Sequence, residues 1–231
     1  MKFFFLLLIL LSLALSNNKE QLFYSVYYNG VNAGSAFLEF NDIEDDFANI
    51  KFDLKSKKII DFVYKLREET SLIVDKIDYS IKEIRKKSRQ GRKRKNFSAL
   101  FNYNDNEGYI NNKKIDIDKS IYDPISIIYH LRNEKINLDK NFTYNIISKN
   151  QIKPIEMKVL GEEQLIKNNK VYDCYILGPN NLDRKGSKLV NIDEIKIWFN
   201  KDSTQHPLVI EKKAKFGVIK MELESIQIVN E

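Results

Sequence analysis

Two β-rich runs joined by Asn29-Gly30 constrain this chain more than any other feature. Leu22-Phe23-Tyr24-Ser25-Val26-Tyr27-Tyr28 precedes the pair, and residues 31–40, rich in apolar side chains, follow it. Asn and Gly both tolerate positive φ, so the pair predicts a two-residue hairpin turn whose twist matches that of the flanking strands. The small residues Ala33, Gly34, Ser35 and Ala36 in the second run predict a bend or the close approach of another backbone.

The same grammar recurs along the chain. Ala48, Ile50, Phe52 and Leu54 alternate with polar neighbours, as a half-buried strand requires. Residues 59–64 predict a helical turn leading into a strand at 65–74. Gln90-Gly91 joins runs at 79–88 and 92–103, and Phe97, Ala99, Phe101 and Tyr103 share one face of the second. Further strands are predicted at 141–149, 151–160, 171–177, 194–200, 208–213 and 217–228. Turn signals separate them, among them Asn168-Asn169 and Gly178-Pro179-Asn180-Asn181.

One segment departs from period two. Asp123 supplies an N-capping carboxylate before Pro124 at the first helical position, and Pro124, Ile127, Ile128 and Leu131 line one side of the helix this predicts. The expected fold is therefore mainly β: a single antiparallel, strongly curved sheet or open barrel, with one short mid-chain helix covering one side. No composition break divides the chain and no fixed period repeats.

The N-terminus reads as a targeting segment. Lys2 is followed by the apolar run from Phe3 to Leu11 and by the small-residue frame Ala14-Leu15-Ser16, the layout of a secretory signal peptide over residues 1–16. The run is shorter than the ~20 residues a spanning helix needs. One domain would then occupy 17–231, exported, with the periplasm as the expected compartment and the extracellular space as the alternative. Cys174 is the only cysteine, so stability must come from packing rather than from an intrachain disulfide.

The formal charge of +6 has one source. Residues 82–95 hold nine cations (Lys82, Arg85, Lys86, Lys87, Arg89, Arg92, Lys93, Arg94, Lys95) against Glu83 alone, which leaves the rest of the chain at −2. Two readings of this hairpin stand side by side. A lysine-rich edge deters strand pairing and keeps the protein soluble. Alternatively Lys86, Lys87, Arg89, Arg92, Lys93, Arg94 and Lys95 contact an anionic membrane surface, an acidic polymer or an envelope partner. Nucleic acid is disfavoured, because the chain carries an export signal and the nearby aromatics alternate as core residues do.

Chemistry-bearing clusters are sparse. Asp123, Ser126 and His130 share a helix face, but ~10 Å of helix separates the first from the last, too far for a triad. His130 and His206 are the only histidines, and the acidic stretch 41–46 lacks the glycine and spacing of an EF-hand loop. No phosphate-cradling glycine loop appears, and no metal, cofactor or catalytic residue is assigned.

Several stretches in matching order resemble a known family: Phe23-Tyr24-Ser25-Val26 with Gly30-Val31-Asn32-Ala33-Gly34, then residues 122–132 with their Asp123-Pro124 and Tyr129-His130-Leu131-Arg132, then Trp198-Phe199-Asn200-Lys201-Asp202, His206-Pro207 and Phe216-Gly217. They are similar to the bacterial domain-of-unknown-function family numbered 3108, DUF3108. That resemblance implies an exported envelope protein and supplies no catalytic residue. The basic run at 82–95 is denser than the family pattern suggests.

The leading expectation is a noncatalytic envelope protein holding an apolar or lipid-like ligand on the concave side of its sheet, with Phe97, Phe101 and Trp198 on that face. An assembly factor acting through the basic hairpin is the alternative, and a hydrolase built on Ser126 and His130 the third.

Overall fold

A computed structural model describes residues 18–44, 46–62, 65–148, 150–180, 195–214 and 217–230. Residues 1–16, expected from the sequence to be a signal peptide, lie outside the described residues, as do Val63 and Tyr64 of the expected helical turn and Asn181 of the predicted turn. The first strands are β1 (Asn18–Tyr28), β2 (Val31–Asp42) and β3 (Phe47–Ser56). The one-turn helix α1 (Lys58–Asp61) leads to β4 (Leu66–Asp75), β5 (Ile81–Gln90) and β6 (Lys93–Asn102). The short strands β7 (Glu107–Ile110), β8 (Lys113–Asp116) and β9 (Ile121–Tyr122) precede helix α2 (Pro124–Asn133). The chain continues through β10 (Asn141–Ser148), β11 (Gln151–Lys167), β12 (Lys170–Pro179), β13 (Ile195–Asn200), β14 (Pro207–Ala214) and β15 (Gly217–Asn230).

All fifteen strands form one sheet in the order β8-β7-β6-β5-β4-β3-β2-β1-β15-β14-β13-β12-β11-β10-β9. Each neighbour is antiparallel except β9, which runs parallel to β10. The sheet does not close: β8 and β9 are its two ends, and the flanks meet through side chains. The Asn111 side chain donates to Asn150 Oδ1 (2.9 Å), and the Tyr103 hydroxyl donates to Ile81 O (2.8 Å) while accepting the Ile121 N–H (3.2 Å).

Asparagine sets the turns. Asn29 and Gly30 both have positive φ, as do Asn111-Asn112 and Asn168-Asn169, which supply the twist of two-residue hairpins. Gly34 is also explained by its neighbours: a Cβ built there runs into the backbone carbonyl of Lys55 on β3.

Helix α2 corrects one expectation. It buries more of its circumference than one apolar side: Ile125, Ser126, Ile127, Ile128, Tyr129 and Leu131 are all buried, while Pro124, His130 and Arg132 are half-buried and Asn133 is exposed. Its start is locally determined. Asp123 accepts the Ile125 N–H (3.0 Å), and Ser126 Oγ accepts the Asp123 N–H (3.1 Å), a reciprocal capping box.

The far end of α2 is bolted to the sheet by charge. Arg132 donates through both terminal nitrogens to the Glu20 carboxylate on β1 (2.5 and 2.8 Å). His206 Nε2 lies 3.0 Å from the same carboxylate, and the Gln205 side chain donates to the carbonyls of Arg132 (2.6 Å) and Glu134 (3.1 Å). Burial alone pushes the Glu20 carboxyl up from 4.5, but the hydrogen bonds and positive charge of Arg132 and His206 outweigh it and hold it at about 2. Tyr129 packs against Phe40 and Tyr79 at the same end.

Candidate functional site at the open end of the sheet

Exposure on the inner face changes from one end of the sheet to the other. Near the Arg132 end, the row Ile50-Leu72-Ile84 is fully buried at 0%, and Ala99 continues it on β6 at 4%. The next inner row is Phe52-Thr70-Lys86-Phe97, of which Phe52 and Thr70 are buried while Lys86 and Phe97 are half-buried. Beyond it lies Leu54-Glu68-Ser88-Lys95, half-buried as far as Ser88 and exposed at Lys95. Strand alternation places these side chains on the same face as the buried rows. The concavity is thus sealed at the Arg132 end of α2 and opens toward the turns at Asn29-Gly30, α1 and Gly91.

The floor of this mouth is the start of α2. Lys86 Nζ reaches Asp123 Oδ2 at 2.5 Å, and that carboxylate is fully buried. Asp123 therefore serves the helix cap and a buried ion pair together. Thr70 Oγ1, on the strand beside Lys86, is buried without a hydrogen-bond partner among the described residues. Leu54, Leu66 and Phe97 give the mouth an apolar wall, and Glu68, Ser88 and Lys95 give it a polar rim.

The residues expected to contact an anionic surface divide into two groups. Lys86 belongs to the interior, so its assignment to that surface is corrected: its ammonium is taken by Asp123. Lys87, Arg92, Lys93, Arg94 and Lys95 are exposed, and Arg89 is half-buried with its Nε donating to Gly91 O (3.2 Å). The hairpin is also not a sheet edge along its whole length. β5 pairs with β4, and β7 pairs with β6 only over Ala99–Asn102, so the free edge is confined to the basic stretch from Lys93 to Phe97.

Of the expected apolar concave face, Phe97 lies in the mouth and Phe101 is buried in the core. Trp198 is on the other side. Its neighbours Ile197 and Phe199 are buried inward, so alternation turns Trp198 outward, half-exposed, with Nε1 donating to Glu163 Oε2 (2.7 Å). Ser126 and His130 do not meet as a nucleophile and base. Ser126 Oγ is engaged with Asp123, while His130 Nδ1 lies 2.7 Å from Asp78 O and its Nε2 lies 3.5 Å from Glu134. Cys174 is buried, and burial pushes its thiol up to about 11.

An open groove of about 630 Å³ crosses β1 to β4 and shares Leu54 and Glu68 with the mouth. Phe23 and Phe37 line it with their rings tilted at 46° and centroids 5.1 Å apart, beside Asp53 and Glu69, which face each other across β3 and β4. Burial, and then the Glu69 charge, push the Asp53 carboxyl up.

A family profile described as "Protein of unknown function (DUF3108)" matches residues 24–224. The chain belongs to that family. None of the curated proteins compared with this DUF3108 chain matches it. Among solved structures it is similar to the β-barrel-like protein of domain of unknown function DUF1849 from Brucella abortus: TM-score 0.60, 12% identity, covering 91% of this chain and 98% of that one. A putative outer membrane lipoprotein-sorting protein domain from Vibrio parahaemolyticus aligns over 91% of this chain and 85% of its own, at 8% identity and TM-score 0.24. The first likeness shows a shared β-barrel-like fold; the second is too distant to add to it.

Proposed function

We propose that this DUF3108 chain is an exported, noncatalytic envelope protein, a single domain after removal of residues 1–16, that holds an apolar or lipid-like ligand in the open end of its sheet. One observation carries the reading: the inner face is buried around α2 but leaves Leu54, Leu66 and Phe97 half-exposed at the opposite end. An apolar chain laid along that wall removes it from water, at about 25 cal/mol per Å² covered. The polar rim is suited to a ligand whose head stays at the mouth.

Native mass spectrometry tests this on protein exported and purified in the presence of its own membranes. A bound apolar mass is expected, and it is lost when Leu54 is changed to Glu with the fold intact. Apo mass alone, repeatedly, counts against a carrier. The second reading, an assembly factor that pairs with a polymer or protein partner through the basic hairpin, is favoured by the free edge from Lys93 to Phe97.

A further inference from the structure

We infer that the open end of the sheet is a membrane-docking face, in which the turn carrying Ile59 and Phe62 inserts between lipids while the neighbouring cations bind anionic head groups. Phe62 is 91% exposed and Ile59 73%, with Val31 on the adjoining β1–β2 turn at 63%. Large apolar side chains grouped at one tip of a soluble fold are uncommon and mark contact surfaces.

These side chains are held out, not loosely trailing. Lys57 N–H donates to Ala33 O (2.8 Å), and the N–H groups of Ile60 and Asp61 return to Lys57 O (3.0 Å each). Arg67 donates to Asp61 and to Ser56 Oγ (2.9 Å), and Ser56 Oγ also accepts the Leu66 N–H (2.9 Å). The base of α1 is thus tied to β2 and β4, and its apolar residues project from a fixed platform.

The same end carries the charge. Gly91 N–H donates to Lys65 O (2.8 Å), which fixes the basic hairpin tip beside α1. Lys57, Lys58, Arg92, Lys93, Arg94 and Lys95 are exposed, and none has an ion-pair partner among the described residues. Apolar side chains ringed by unpaired cations match a bilayer of anionic lipid: the apolar groups enter the head-group region and the cationic groups stay at the phosphate level. A nucleic acid or acidic polymer satisfies the cations but gives Phe62 and Ile59 nothing to enter. The proposal does not depend on a ligand inside the mouth, though it would set that mouth against the membrane.

Sedimentation with protein-free vesicles tests it, using exported protein with one common N-terminus throughout. Wild type is expected to bind phosphatidylcholine vesicles containing phosphatidylglycerol and to bind pure phosphatidylcholine far less. Ile59→Ser with Phe62→Ser should lower partitioning at least tenfold while leaving it salt-sensitive. Changing Arg92, Lys93, Arg94 and Lys95 to Gln should lower it up to about fivefold per cation and remove most of the salt dependence. All six positions are exposed, so unfolding midpoints should be unchanged.

A second readout needs no loss of binding: Phe62→Trp in a Trp198→Phe background leaves one indole, at the tip, whose emission should shift to the blue on anionic vesicles. Equal binding to both vesicle types, no effect of the Ile59 and Phe62 changes, or an indole emission that does not shift overturns the proposal. So does binding that appears only with native membranes and not with lipid alone, which would assign the face to a protein partner. Ligand retention measured by mass on the same samples keeps this result separate from the carrier reading.

Discussion

The Glu20–Arg132–His206 cluster makes acid stability depend on one carboxylate. Glu20 is held at about 2, against 4.5 in an unfolded chain. Because the folded value is the lower one, the unfolded state takes up the proton first, so the stabilisation is complete well above 4.5 and is lost as the pH falls toward 2. At about 1.4 kcal/mol per pKa unit, the shift corresponds to about 3 kcal/mol at neutral pH, of which about 2 kcal/mol is gone by pH 3.

Glu20→Gln removes this titration. At pH 7 the variant should be about 3 to 5 kcal/mol less stable than wild type, because the Arg132 guanidinium is left buried without its counter-charge. Urea midpoints across pH 7 to 3 should then converge, the gap closing by about 2 kcal/mol as Glu20 takes up a proton in the unfolded wild-type chain while staying ionised in the folded one. Subtracting the variant from wild type cancels the other carboxylates. A gap that stays constant from pH 7 to pH 3 would refute the argument that Arg132 and His206 outweigh burial at this site. Adding Arg132→Met to Glu20→Gln should recover part of the loss at pH 7, since no unpaired charge remains.

Asp123→Ala removes a helix cap and strands Lys86 at once, so it should cost about 3 to 5 kcal/mol, with Lys86→Met in the same chain restoring part of it; a cost of about 1 kcal/mol in denaturant melts would mean that the ion pair contributes nothing beyond the cap. Gly34→Ala forces β2 and β3 apart at Lys55 and should lower stability by about 1 to 3 kcal/mol with β content preserved by circular dichroism; an unchanged midpoint would show that the strands separate freely there.

Local rules were legible in the sequence wherever one residue pair decides the outcome. Asn29-Gly30 and Asn168-Asn169 each read as a turn because positive φ needs those residue types, and Asp123-Pro124 read as a helix start because capping is a matter of three adjacent positions. The polar run Asn104-Asp105-Asn106-Glu107-Gly108 reads as a turn before Tyr109-Ile110, but strands β7 to β9, runs of two to four residues, show no period of their own; Asn111-Asn112 is a further turn signal between β7 and β8. Lys86 reads with its basic neighbours because charge in a sequence carries no address. Its strand phase put it on the face of Ile84, but the partner, Asp123, lies 37 residues away. Glu20 with Arg132 and His206 had no local signature at all, being 112 and 186 residues apart. Trp198 reads as a concave-face residue by type, aromatic and in a strand, whereas the phase of Ile197 and Phe199 points it outward. Ile59 and Phe62 looked like ordinary helix-turn apolars, and only the exposure of α1 separates them from core residues.

The stretches by which the chain resembles DUF3108 also have a physical rationale. Asp123 and Ser126 start the helix, Arg132 ends it on Glu20, and His206 with its neighbour Gln205 grips both the carboxylate and the final carbonyls. The Asp123, Ser126, Arg132 and His206 part of that motif chemistry is spent on seating α2 at one end of the concavity. A helix of 10 residues is about 15 Å long, so it cannot fill a sheet whose inner strands are 10 to 12 residues and about 33 to 40 Å long. The remaining length must be closed by side chains or left open. Toward the Gly91 turn it is lined by half-exposed Leu54, Leu66 and Phe97 and rimmed by cations, so the helix that stabilises one end leaves the other free to meet a ligand or a surface.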